Sequence, residues 1–272
     1  MYSTLAIKTN SKQSGRIIGT HQKLDKIAYK IVTKNLKSNV KFPDIKMILN
    51  FEGTGGPDGL KRKSPGKDEP MHFIIPNADD GKLFKMIEDH QYNLRKALEK
   101  GDEVRAAFEA AWMAHAVTDG LTPAHHFPLV EAQEELMTEK EFFKVFGTPI
   151  KGIMRGSNRK ETLRNNWLYW GSNGYMSKHI AFEYGVAVTM TALPPRRVMP
   201  KITEKEIKNA EIREAFYSAL EKITALDMYT RFRHSGWTTD LAFETKDILL
   251  PEIIKAIALC WLASIPKRKN EK

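Results

Sequence analysis

Two pairs of residues able to bind metals recur at one spacing. His115 and Asp119 stand four apart in AWMAHAVTDGLTPAHHFP, and His179 and Glu183 stand four apart in SKHIAFEYGV. Residues four apart share one face of a helix. The helix carrying the first pair must break at Gly120 and Pro123, which lets His125 return from another direction. Metal ions need such convergence, because four tetrahedral ligands cannot come from a single turn. Trp112, Met113 and Val117 flank the first pair; Ile180, Phe182 and Val186 flank the second. Carboxylates buried among such neighbours are costly unless compensated, and a divalent cation compensates them directly. A set of His, Asp and Glu suits zinc or another cation that takes nitrogen and oxygen. Spacing alone leaves a second reading open, in which each pair is a hydrogen bond on a helix surface.

The elements that must position these residues read as helices. From His21, apolar Leu24, Ile27, Ala28, Ile31 and Val32 recur at helical spacing. Residues 37–70 are broken by Pro and Gly, and GTGGPDGLKRKSPGKDEP reads as loop. Asp79 or Asp80 is placed to cap a helix running to about Glu99; Gly101 then separates it from a second helix, Asp102 to about Asp119. Val104, Ala107, Phe108, Ala111, Trp112 and His115 follow its period. Residues 128–147 offer two short amphipathic pieces around a cap at Thr138. Residues 157–192 are periodic, with an interruption expected at Gly171 and Gly174. Thr203 and Glu206 form a capping box for a helix expected to run through about Arg233, and a last helix is expected between Pro251 and Pro266. Almost nothing alternates with period two, so the expected architecture is all-α, a single helical domain over residues 21–266. A polar segment, 1–20, precedes it and a basic tail, 267–272, follows.

Bulk properties narrow the possibilities. With 272 residues and 42% hydrophobic composition, the chain can build one sizeable core, and wholesale disorder is excluded. The formal net charge of +10 favours phosphate-bearing partners without choosing among nucleic acid, lipid headgroup and small ester. The single cysteine, Cys260, lies in an apolar run and reads as a buried thiol, which rules out a disulfide scaffold. No signal peptide or membrane-spanning stretch is visible. Of the other histidines, His90 is expected to face solvent, His126 to point away from the cluster, and His234 to sit at a helix end.

The order and spacing of these residues resemble the zinc-dependent phospholipase C and P1-type nuclease superfamily. His115, Asp119 and His125 match its His-x3-Asp-x5-His pattern, with Pro123 placed as in the family, and His179 with Glu183 matches its downstream pair. MHFIIPNADDGKLF resembles the segment that supplies a further ligand, which marks His72; Asp58, fourteen residues earlier, stands where the family has an Asp. Glu52 and Asp68 are nearby competitors for that role. His21 fits the histidine that opens the family's first long helix. The resemblance implies two or three zinc ions. One would be held by Asp58, His72, His115 and Asp119, and a second by His125, His179 and Glu183. A third would be shared by Asp119 and His21. It further implies a metal-bound hydroxide attacking a phosphodiester phosphorus, with Asp58 as the catalytic residue that orients or deprotonates the water. In the family a terminal Trp holds the third ion; no Trp precedes His21 here, so two ions are an alternative.

Glu at 183 and the Asp58–His72 spacing resemble the phospholipase branch more than the nuclease branch. The expected substrate is therefore a phosphodiester, phospholipid ahead of single-stranded nucleic acid, with peripheral membrane contact and no protein partner implied. The resemblance also suggests secretion. Trp167, Tyr169, Trp170 and Tyr175, ahead of His179, could stack bases, receive a choline headgroup or simply pack. The stretch between His125 and His179 is longer than in the bacterial phospholipase. The alternatives are a P1-type single-strand nuclease and a non-catalytic helical protein with a relic structural metal site.

Overall fold

The computed structural model describes residues 19–36, 40–52, 56–57, 73–76, 81–137 and 153–266, and no β-strand occurs among them. Asp58, His72, Asp79, Asp80, Thr138 and both terminal segments, 1–18 and 267–272, lie outside the described residues. The all-α expectation holds.

At the centre is the helix α4, Glu103–Gly120, in contact with α1 (Thr20–Asn35), α2 (Ile45–Glu52), α3 (Lys82–Lys100) and α12 (Leu250–Ala263). Its sequence explains its place. Ala106, Ala107, Ala110, Ala111, Ala114 and Ala116 are all buried. Small side chains let neighbouring helices approach closely on several sides while keeping high helix propensity. Val104 shares the apolar period but is exposed, because it lies in the first turn, beyond the packed part of the helix. The other central helix, α12, is apolar around most of its circumference, the pattern of a helix enclosed on all sides. Trp261 on α12 is buried, and its indole N–H donates to the Ala110 carbonyl at 2.9 Å, joining the two central helices. Cys260 beside it is buried, and burial pushes its thiol up to about 12.

The turn between α3 and α4 follows from two residues. Gly101 takes the left-handed conformation, φ 70°, and closes α3 while its N–H and that of Asp102 return to Leu98 and Ala97 carbonyls. The Asp102 side chain then accepts from the Arg105 N–H and caps α4. His90 on α3 does not face solvent as expected. Its Nδ1 lies 2.6 Å from Glu109, a fully buried carboxylate on α4 that also meets the Arg105 guanidinium. A buried acid of this kind must be paired, and the sequence period of α3 did not reveal that demand.

The remaining helices are α5 (Leu129–Glu135), α6 (Arg159–Trp170), α7 (Tyr175–Ala192), α8 (Glu204–Lys208), α9 (Ile212–Thr224), α10 (Met228–Ser235) and α11 (Thr239–Glu244). Gly171 and Gly174 do separate α6 from α7. The helix expected from Thr203 through Arg233 is three helices instead. The capping box at Thr203 and Glu206 is present, but α8 ends at Lys208, and Asp227 adopts φ 47° between α9 and α10. A left-handed residue cannot continue a right-handed helix. His234 lies in the last turn of α10, as expected. The final helix begins earlier than expected, because α11 runs through a π-helical turn, Thr245–Leu249, into α12. Pro251 has no N–H to give to the preceding turn, and the wider turn accommodates that loss. Among the described residues no helix is long and apolar enough to cross a membrane.

A smaller apolar cluster sits apart from the main core. Leu129, Leu136, Met137, Met154, Tyr169 and Met176 form it, with Phe73, Phe127, Trp170, Tyr175 and Ile180 at its edge. The described parts of the long stretch between His125 and His179 therefore pack onto the start of α7. On the far side of α7, Gly185 packs directly on the Trp237 ring, and a Cβ there would overlap three ring atoms. Gly185→Val should lower stability by roughly 2 kcal/mol through overpacking, despite the helix propensity it gains. A shift of the urea midpoint smaller than ~0.5 kcal/mol equivalent would contradict this packing.

Candidate metal centre

Five short pieces of chain meet at one buried site. His21 is in the first turn of α1, Glu52 is the last residue of α2, and His115 and Asp119 occupy the last two turns of α4. His125 lies in a 3-10 turn, Pro123–His126, and His179 and Glu183 lie in the second and third turns of α7. All seven are buried. The break after α4 works as the sequence reading expected. Gly120 allows close contact with Leu83 and the Phe216 ring, where a Cβ would collide. The Thr122 hydroxyl donates back to the Thr118 carbonyl, and the His126 ring approaches the Gly120 carbonyl at 2.9 Å. His126 thus secures the turn and points away from the cluster. Burial pushes it down to about 4.

The site has two groups with one design. In the first, Glu52 Oε1 lies 2.9 Å from His21 Nδ1 and 2.8 Å from His115 Nδ1. On the opposite side of the same two rings, Asp119 Oδ1 lies 3.3 Å from His21 Nε2 and Asp119 Oδ2 lies 3.1 Å from His115 Nε2. The imidazoles are thus held between two carboxylates, with ring centroids 4.4 Å apart. In the second, Glu183 Oε1 lies 2.9 Å from His125 Nε2 and 3.2 Å from His179 Nε2. The Phe73 ring stacks on His125 at 4.9 Å, and the Ile74 N–H donates to the His125 carbonyl. Asp119 links the groups, since its Oδ1 is also 3.9 Å from His125 Nε2.

Each group can hold a metal ion: His21, Glu52 and His115 in one, His125, His179 and Glu183 in the other. The fit is tested by polar atoms that protein contacts leave unsatisfied. Both His21 ring nitrogens, Glu52 Oε2 and both oxygens of Asp25 are buried without a properly oriented hydrogen bond. His21 lies close to two carboxylates, but its nitrogens do not point at them in hydrogen-bond geometry. Leaving one such group unmet costs about 1–3 kcal/mol, more when charged. Five unmet atoms around one spot are poor design for a structural ion-pair network and good design for a cation site. Histidine ligands in such sites direct the other ring nitrogen to a carboxylate, and here each first-group ring has one carboxylate on either side.

The electrostatics agree with that reading. Burial alone would raise the Asp119 carboxyl, yet it is held well below its ordinary range, with His115 and His125 among the positive charges that lower it. Glu183, beside His179 and His125, is likewise held well below. Glu52 is lowered against the cost of its burial by His115 and His21. His115 is raised well above its ordinary value: burial would lower it, but Glu52 and Asp119 outweigh burial. His21 is raised too; burial and His115 oppose this, and Glu52 and Asp119 prevail. Burial pushes His125 down to about 4, so it is a neutral donor at physiological pH. Asp25 is raised well above the usual carboxyl range, by burial first and then by Glu52.

Six of the expected ligands, His21, His115, Asp119, His125, His179 and Glu183, thus come together. Asp58 and His72 lie outside the described residues. His21 lies beside His115 and also beside Asp119. Glu52 supplies the carboxylate of that group. Asp25 was not anticipated at all, although it follows His21 at the same four-residue spacing that drew notice to the other two pairs. No family model matches the chain, and neither a curated protein nor a solved structure matches it.

The charge states define a pH profile for the protein stripped of divalent ions. His21 and His115, raised in the fold, contribute stability below about pH 6.5 that is lost as pH rises through their folded values. His125 and His126, lowered to about 4, contribute stability above ~6.5 that is lost as pH falls toward 4. Glu52, Asp119 and Glu183, lowered in the fold, add a further loss below about 4.5. Thermal midpoints measured from pH 4 to 9 in chelator should therefore peak near ~6.5. Added zinc should abolish the alkaline decline, because a bound cation replaces the histidine protons. A profile unchanged by zinc would count against metal binding.

Proposed function

We propose that this chain is a zinc-dependent phosphodiester hydrolase that acts on phospholipid headgroups. The observation that carries the reading is the pair of buried His/carboxylate groups joined through Asp119. Two cations held at neighbouring positions by one carboxylate suit the displacement of an ester at phosphorus, where attacking and leaving oxygens both carry charge. Zinc bound there would supply Lewis-acid activation of water and neutralise charge on the phosphoryl oxygens.

The chain's own residues set the conditions. His21, His115 and Glu52 would hold one ion, and His125, His179 and Glu183 the other. Asp119 spans the two groups and sets their separation. Phe73 packs over His125 and His179 and keeps water from that side. His125 is already neutral and can present its lone pair without first losing a proton. Asp25, one turn beyond His21, places a further carboxyl behind the first group. By the family resemblance Asp58 would orient the attacking water and His72 would add a ligand.

Phospholipid is preferred to single-stranded nucleic acid because Glu at 183 and the Asp58–His72 spacing resemble the phospholipase branch. The aromatic residues ahead of His179 do not separate the two substrates. Tyr169 is buried and Trp170 and Tyr175 pack on the smaller apolar cluster, which removes them equally from base stacking and from headgroup binding, and Trp167 faces solvent.

Protein reconstituted with zinc should release the headgroup phosphate ester from phosphatidylcholine in mixed micelles and leave single-stranded DNA intact. His115→Ala and His179→Ala should each reduce both bound zinc and turnover at least ~10–100-fold with the helical circular dichroism retained. Cleavage of DNA alone would replace the proposal with the nuclease reading. Stoichiometric zinc with neither substrate cut would replace it with a structural metal site.

A further inference from the structure

The helix α6 buries Tyr169 in the smaller apolar cluster, while other inward positions are polar. Asn165 is buried and donates to the Leu136 carbonyl at 2.6 Å, and Asn166 donates to the Met154 carbonyl while accepting the Met154 N–H. Its outward face carries Arg159, Lys160, Leu163, Arg164, Trp167 and Leu168, all exposed. Leu163 is 74% exposed and Trp167 71%, one helical turn apart; Ile153, just before the helix, is 58% exposed. Packing among the described residues does not account for large apolar groups displayed together in this way.

The charges on this face are of one sign. Between Ile153 and Trp170 the only acid is Glu161, and it is occupied by the Ser157 N–H and hydroxyl at the start of the helix. Arg159, Lys160 and Arg164 therefore interleave with Leu163, Trp167 and Leu168 under a net positive potential. A second copy of the chain docking face to face would set these cations against their own equivalents, which disfavours self-association.

We propose that the outer face of α6 is a docking surface for a bilayer containing anionic phospholipid. Leu163, Trp167 and Leu168 enter the headgroup–acyl boundary, where an indole ring is favoured, and Arg159, Lys160 and Arg164 meet lipid phosphates. The helix lies in the plane of the membrane surface and does not span it. Binding here does not require the metal centre, so the inference stands or falls apart from the hydrolytic reading.

The test is sedimentation of the zinc-loaded full chain with vesicles of phosphatidylcholine alone and of phosphatidylcholine with equimolar phosphatidylglycerol. It is run on ice, and lipid phosphorus in the pellet is checked to be unchanged. Wild-type protein should bind the anionic vesicles at least about tenfold more tightly than the neutral ones. Leu163→Asn with Trp167→Ala should lose at least about tenfold, and so should the charge reversal Arg159→Glu, Lys160→Glu, Arg164→Glu. The replaced side chains are exposed, so thermal midpoints should stay unchanged. A control reversal of equal charge on other faces, Lys30→Glu, Lys34→Glu, Lys100→Glu, should keep affinity within about twofold. The proposal is overturned if wild type does not prefer anionic vesicles, if the α6 variants bind like wild type, or if the control loses as much. A wild-type dimer in solution that Trp167→Ala dissolves would also overturn it, by assigning the face to a second copy.

Discussion

The constraint on which the rest of the structure depends is the burial of Asp119. A carboxylate enclosed at the end of a central helix must be compensated, since an uncompensated buried ion costs several kcal/mol even after relaxation. The compensation comes from four directions. His115 lies one turn back on the same helix, His21 comes from α1, His125 from the turn beyond Gly120, and through His125 the α7 pair is drawn in. Each of those histidines then needs its own partner, which is why Glu52 and Glu183 are buried as well. The packing of α1, α2, α4 and α7 around one point follows from this chain of electrostatic demands as much as from apolar contact.

Apolar packing supplies the rigidity that the cluster needs. The alanine-rich surface of α4 and the apolar girth of α12 let the two helices lie side by side, joined by the Trp261 indole, and they hold the end of α4 in place. The smaller cluster around Tyr169 and Met154 does the same for the start of α7. A ligand set drawn from five pieces of chain keeps its geometry only if each piece is anchored independently of the ion. Here the anchors are the alanine faces, the Gly120 and Gly185 contacts and the Phe73 stack.

The outer face of α6 stands in contrast to this interior. Inside, polar groups are gathered where a cation can satisfy them. Outside, apolar groups are displayed where none of the described residues covers them. Both depart from the ordinary partition of polar and apolar side chains. Such local departures mark places where a sequence serves something other than folding.

Much of this was written in the sequence because helices are local. The 3.6 period, Gly101, Asp102, the Thr203–Glu206 box and the glycines at 171 and 174 place helices and breaks through interactions that span only a few residues. The i,i+4 spacing of His115 with Asp119 and of His179 with Glu183 is of the same kind, and so is the return of His125 after Gly120. Other features depend on residues brought together from distant parts of the chain. That Glu52 faces His115 across 63 positions, that His21 joins His115, and that His90 meets a buried Glu109 are products of helix packing, which no local period encodes. Asp25 lay in view at the right spacing, but a single turn cannot tell a buried carboxylate from a surface one. The same ignorance of burial hid the outward turn of Leu163 and Trp167. Sequence by itself determined most of the helices and the residue types able to bind a cation; only the tertiary structure decided which of them share an interior, because burial is a property of the assembled helices and not of any one of them.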